Sequence, residues 1–81
     1  MKILIAEDDP IMLATLEHHL SRENFSIASV KDGAEALAII ESFKPDLLIT
    51  DILMPLTSGL ELIGIIRSNP NNKIPILVLS S

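Results

Sequence analysis

Residues 46–51 read DLLITD, a short apolar run bounded by an aspartate at each end. The run is too short for a typical helix. Its nearly continuous apolar character is what a strand acquires when helices cover both of its faces. Such a strand belongs to a parallel sheet, and parallel strands need long crossovers, usually helical. The segments on either side should therefore alternate between helix and strand.

On the C-terminal side, the loop ILMPLT (52–57) is followed by Ser58 and Glu61 at capping-box spacing. Leu62, Ile63 and Ile66 then give a helix its buried side until Asn69 and Pro70 break it. PILVL (75–79) reads as the next strand. On the N-terminal side, Asp32 with Glu35 three residues later starts a helix that carries Leu37, Ile40 and Phe43 inward, and Lys44 and Pro45 stop it. FSIASV (25–30) alternates like a strand. Before it, Asp9 as N-cap, Pro10 at the first helical position, and Met12, Leu13, Leu16 and Leu20 at helical spacing define another helix. That helix should end near Asn24, a residue that tolerates the left-handed conformation. The chain opens on a strand, KILIA (2–6). Strand and helix alternate throughout, which places the chain in the α/β class with right-handed crossovers and a parallel sheet. No internal repeat or low-complexity segment interrupts the pattern.

At 81 residues the chain holds one small domain. A hydrophobic fraction of 48% against 21% charged residues suits a folded protein and argues against disorder. The net charge of −5 disfavours attraction to nucleic acid or to an anionic membrane surface, and favours a cation or a basic partner. The absence of cysteine excludes a disulfide framework and a thiolate metal site. No stretch approaches a membrane span or a signal peptide, so a cytoplasmic location is expected.

In an open parallel sheet, ligands gather outside the carboxyl ends of the strands. Glu7 and Asp8 leave the end of the first strand, Asp51 the third and Ser80 the fourth. Carboxylates on neighbouring strand ends, ~5 Å apart, repel by roughly 3 kcal/mol per pair at an effective dielectric near 20. A cation relieves that repulsion, and oxygen-only ligands without His or Cys favour a hard ion, Mg²⁺ more than a dedicated Ca²⁺ cage. The triplet Glu7-Asp8-Asp9 taken alone reads first as a solvated turn with a helix cap, and Asp51 alone could be an ordinary loop acid. The joint placement of separate acids and a hydroxyl on equivalent strand ends is what points to a site. Asp9 is assigned only as the cap.

Four segments together resemble the receiver domain of two-component response regulators. They are AEDDP (6–10), LLITD (47–51), the D-x-x-M-P-L-x-S-G segment from Asp51 to Gly59, and IPILVLSS (74–81). The resemblance covers the whole chain. It implies a flavodoxin-like doubly wound parallel sheet with strand order 2-1-3-4. It implies further that Asp51 is the phosphoacceptor, that Glu7, Asp8, Asp51 and the backbone carbonyl of Leu53 hold Mg²⁺ (Glu7 through the metal's waters), and that Ser80 is the switch hydroxyl. Ser81 takes the adjoining position, and the pair of serines leaves that register open by one residue. The implied partner is a histidine kinase, and the implied role is that of a signalling module rather than an enzyme. A complete receiver continues with a helix, a fifth strand ending in a lysine that contacts the phosphoryl group, and a final helix; residues 1–81 correspond to its N-terminal part. On that reading PILVL becomes an edge strand, and self-association through it, or exchange of an element, is expected.

Two other readings stay open: an aspartate-nucleophile phosphatase, against which Leu53 stands where a second acid would be needed, and a structural or self-associating fragment that has kept the acids without the chemistry. Pro55 and Gly59 either shape the loop beside the acceptor or serve as a rigid turn and a small helix-start residue. Met12 is assigned to the core and Met54 to packing in the loop. His18 and His19, adjacent on a helix, are expected to face different directions at the surface. The tract NPNNK (69–73) reads as a surface turn.

Overall fold

The computed structural model describes residues 1–54 and 57–79. Strands and helices alternate along them as β1 (Lys2–Ala6), α1 (Pro10–Ser21), β2 (Ser26–Val30), α2 (Gly33–Phe43), β3 (Leu47–Asp51), α3 (Gly59–Arg67) and β4 (Ile76–Leu79). The four strands form one parallel sheet in the order β2-β1-β3-β4, the order that the receiver resemblance implies.

Each helix begins at the cap read from the sequence. The Asp9 carboxylate accepts from the Ile11 amide at 3.0 Å, with Pro10 in the first turn. The Asp32 carboxylate accepts from the Glu35 amide at 2.8 Å, while the Glu35 side chain reaches past the cap to the Lys31 amide at 3.0 Å. Ser58 and Glu61 form a full reciprocal capping box. Such caps satisfy amides that have no intrahelical partner and stabilise by about 1 kcal/mol each. At the other ends, Asn24 (φ 61) follows α1 and Lys44 (φ 51) closes α2, both in the left-handed region.

The sheet is covered on both faces. On one, α2 and α3 enclose Leu4, Ala6, Val30, Ala36, Ile40, Leu48, Leu62 and Ile66, with Met54 packed against them. On the other, α1 lays Leu13, Leu16 and Leu20 over Ile3, Ile5 and Ile49. Central β1 is buried from both sides, and each fully buried aliphatic side chain of Ile3, Leu4 and Ile5 stabilises by about 1.5–3 kcal/mol.

Two sequence assignments need correction. Met12 is 42% exposed rather than in the core, because Leu13, Leu16 and Leu20 form the inward stripe and Met12 falls at its margin. His18 and His19 are both exposed as expected, but their rings do not diverge: they bend together edge to face with centroids 5.6 Å apart.

Candidate metal centre at the carboxyl ends of the strands

Parallel register determines which side chains meet at the sheet's carboxyl edge. Ala6 pairs with Thr50 across β1 and β3, so the next residues along, Glu7 and Asp51, emerge opposite each other. The Glu7 amide donates to the Val30 carbonyl at 3.0 Å, which extends the β1–β2 ladder one residue past the strand and holds Glu7 in the buried layer. Thr50, fully buried, donates its hydroxyl to the Asp51 carbonyl at 3.0 Å, and the Asp51 carboxylate accepts from the following Ile52 amide at 2.7 Å.

Glu7, Asp8 and Asp51 each bring one carboxylate oxygen to within 4.8 Å of the other two. At that separation a charged pair repels by roughly 3 kcal/mol at an effective dielectric near 20. Glu7 is buried, Asp51 half-buried and Asp8 exposed, so the cluster opens to solvent on the Asp8 side. The Glu7 carboxyl is pushed up from its ordinary 4.5 to about 7, first by burial, then by its contact with Asp51, and further by the charges of Asp51, Asp8 and Asp9. Counted as an anion, Glu7 has a buried oxygen, Oε2, with no hydrogen-bond partner. Counted as an acid, it can donate to Asp51.

A buried, orphaned carboxylate oxygen beside two further carboxylates is a donor set that a small hard cation completes, and no His or Cys stands in the cluster to favour a softer metal. The residues present therefore fit a divalent ion such as Mg²⁺.

Gly59, at the start of α3, is held close to Asp51. The Gly59 amide donates to the Ile52 carbonyl at 2.8 Å, and a methyl built on Gly59 would collide with the Asp51 carbonyl group. Only glycine allows that approach. Leu53, two residues beyond Asp51, has a 70% exposed side chain. Pro55, Ser80 and Ser81 lie outside the described residues, so the positions expected for the switch hydroxyl and the loop proline are not among them. What the sequence reading missed is Thr50 and the α2 contact with this loop: the Gly33 amide donates to the Thr57 carbonyl at 3.2 Å. A hydroxyl closing an otherwise apolar strand was the visible hint for Thr50. Nothing local marks Gly33.

With this geometry in place, the comparisons agree on the class of protein. The chain belongs to the response regulator receiver domain family, which it matches over residues 3–81. It is 40% identical over 81 residues to response regulator MprA of Mycobacterium avium, covering 100% of this chain and 35% of that protein. It is 36% identical over 80 residues to transcriptional regulatory protein PrrA of Mycobacterium tuberculosis, covering 99% and 34%. The chain thus spans about a third of the length of these curated relatives. Among solved structures it resembles the signal receiver domain of a signal transduction histidine kinase from Syntrophus aciditrophicus, with TM-score 0.91, 34% identity, and 96% and 60% of the two chains covered. It also resembles the BeF3-activated N-terminal receiver domain of Klebsiella pneumoniae RstA, with TM-score 0.92, 30% identity, and 100% and 68% covered.

Proposed function

We propose that the chain is a phosphoacceptor module of a two-component system, taking a phosphoryl group from a histidine kinase onto Asp51 in a Mg²⁺-dependent step. The observation that carries this reading is the three-carboxylate cluster around the orphaned Glu7 Oε2, at the carboxyl edge of a receiver sheet. Glu7, Asp8, Asp51 and the Leu53 carbonyl would hold the ion, Glu7 through water. When bound, the ion neutralises phosphoryl oxygens, so that an otherwise weak carboxylate nucleophile can approach phosphorus.

The protein's own groups do the positioning. The Ile52 amide holds Asp51 Oδ1, and so orients the carboxylate. An Asp51 oxygen forms the new bond to phosphorus in line with the breaking bond to the donor's histidine nitrogen, and the imidazole leaves with the electron pair and takes up a proton. The product acyl phosphate carries about −1.5 to −2 of charge in place of the single charge of the carboxylate. Ser80 is the proposed switch hydroxyl; it directly follows Leu79, the register partner of Asp51. Turning toward new phosphoryl oxygens, such a hydroxyl biases a two-state surface.

The module is proposed to act in the cytoplasm; no helix among the described residues is long and apolar enough to cross a membrane. The residues correspond to the N-terminal part of a receiver. As a separate 81-residue chain it self-associates through β4. That strand lies at the sheet's edge, with Leu77 53% and Val78 40% exposed on opposite faces.

Incubation with Mg²⁺ and acetyl phosphate, followed by mass spectrometry, tests the central reading. A phosphoryl increment lost in Asp51→Asn is expected. Turnover of a phosphate ester would point instead to a phosphatase, and no response to acetyl phosphate or beryllofluoride to a chain that has kept the acids without the chemistry.

A further inference from the structure

The first-turn amides of a helix have no partner within it and are usually left to a cap or to water. In α2 the Asp32 side chain takes the Glu35 amide, and the Gly33 amide is spent elsewhere, on the carbonyl of Thr57 at 3.2 Å. The approach is close enough that a methyl on Gly33 would overlap that carbonyl oxygen and lie 2.6 Å from Thr57 Cβ and 2.8 Å from its Cγ2. Gly33 itself is buried, and its φ is not positive, so the lack of a side chain serves the contact and not a backbone turn.

Thr57 belongs to the loop that runs from Asp51 to α3. The near end of that loop is tied by the Gly59 amide to the Ile52 carbonyl, and Met54 packs on the core that α2 helps to build. The Gly33–Thr57 contact joins this loop to the start of a helix that contributes no carboxylate to the cluster. Shifting Thr57 outward by the distance a methyl demands would shift Gly59, two residues on, and with it the Ile52 carbonyl next to Asp51.

We infer that Gly33 is a positioning residue for the acidic site, and that the first turn of α2 moves as one unit with residues 57–59 and the Ile52 backbone to which Gly59 is bonded. The inference rests on the proposed cation binding. By reciprocity, whatever Gly33 does to cation affinity, cation binding does to the Gly33 contact.

The test is a Mg²⁺ titration of the full chain followed by amide chemical shifts and hydrogen exchange, in the native protein and in Gly33→Ala. In the native protein, Asp8 and Asp51 amides shift with Mg²⁺, and the Gly33 amide shifts with the same midpoint and exchanges more slowly at saturation. In Gly33→Ala the Mg²⁺ dissociation constant rises about fivefold or more, the low end of ordinary coupling, while the Glu7 amide bonded to Val30 keeps its protection. Shifts at Asp8 and Asp51 with an unmoved Gly33 amide overturn the coupling but leave the cation site standing. No shift at Asp8 or Asp51 overturns the cation site, and the coupling with it. Unaltered Mg²⁺ affinity in a folded Gly33→Ala also overturns the coupling. Should that variant fail to fold, the native titration decides alone.

Discussion

Glu7 and Asp51 face each other across the carboxyl ends of two paired strands, one buried and the other half-buried, with the buried one left an oxygen short of a partner. Two measurable consequences follow from that pairing, one for protons and one for metal ions.

The proton consequence has a definite sign. Glu7 holds its proton up to about pH 7 in the folded chain, against 4.5 ordinarily, chiefly because it is buried. Below pH 4.5 both folded and unfolded forms carry the proton and the contribution is fully present. Between 4.5 and about 7 the unfolded chain releases its proton first, so stability falls as pH rises, by about 3 kcal/mol in all. Urea denaturation at pH 5 and pH 8 without divalent ions should show this loss, and Glu7→Gln should flatten most of it. Equal pH dependence in the two proteins would remove Glu7 as its source.

Mg²⁺ should reverse the loss at the high-pH end. With the ion at one hundred times its dissociation constant, the folded state gains about 2.7 kcal/mol. The gain should be much smaller at pH 5, where the proton competes for Glu7. Urea midpoints with and without Mg²⁺ at the two pH values measure the difference; a gain independent of pH would place the ion elsewhere.

Asp51→Asn should separate chemistry from stability. It abolishes acetyl phosphate labelling, yet at pH 8 and without metal it stabilises the fold through relief of like-charge repulsion, by up to roughly 3 kcal/mol for each pair relieved at an effective dielectric near 20. Because burial is the largest cause of the Glu7 shift and survives the substitution, Glu7 should move only part of the way back toward 4.5. A carboxyl-resolved NMR titration reads that directly.

The exposed edge makes a prediction for the 81-residue chain. Light scattering at tens of micromolar should show self-association, and Leu77→Lys should return the chain to a monomer, since charge on an edge strand blocks strand addition. A monodisperse native monomer would count against β4 as the contact.

Much of this architecture was legible beforehand because the signals are local. Asp9, Asp32 and Ser58 announce their helices through short-range hydrogen bonds, and DLLITD is apolar because both of its faces are covered. The meeting of Glu7, Asp8 and Asp51 was legible at one remove, since alternation of elements implies parallel strands and parallel strands put their ends together. Met12 misled because a helical stripe has margins, and only the packing of Leu13, Leu16 and Leu20 shows which edge turns outward. The approach of Gly33 to Thr57 was out of reach altogether: it depends on how two distant segments are seated, and no spacing along the chain encodes it.

The unequal clothing of the two sheet faces has a mechanical outcome. α1 has no fully buried residue and rests on its face through a single stripe of three leucines, whereas α2 and α3 brace one another on the opposite side. Helix α1 is therefore the part of the molecule most ready to peel away while the rest stays folded. Its first turn begins at Asp9, next to Asp8, so an ion gripping Asp8 would act as a rivet at the very end where peeling starts.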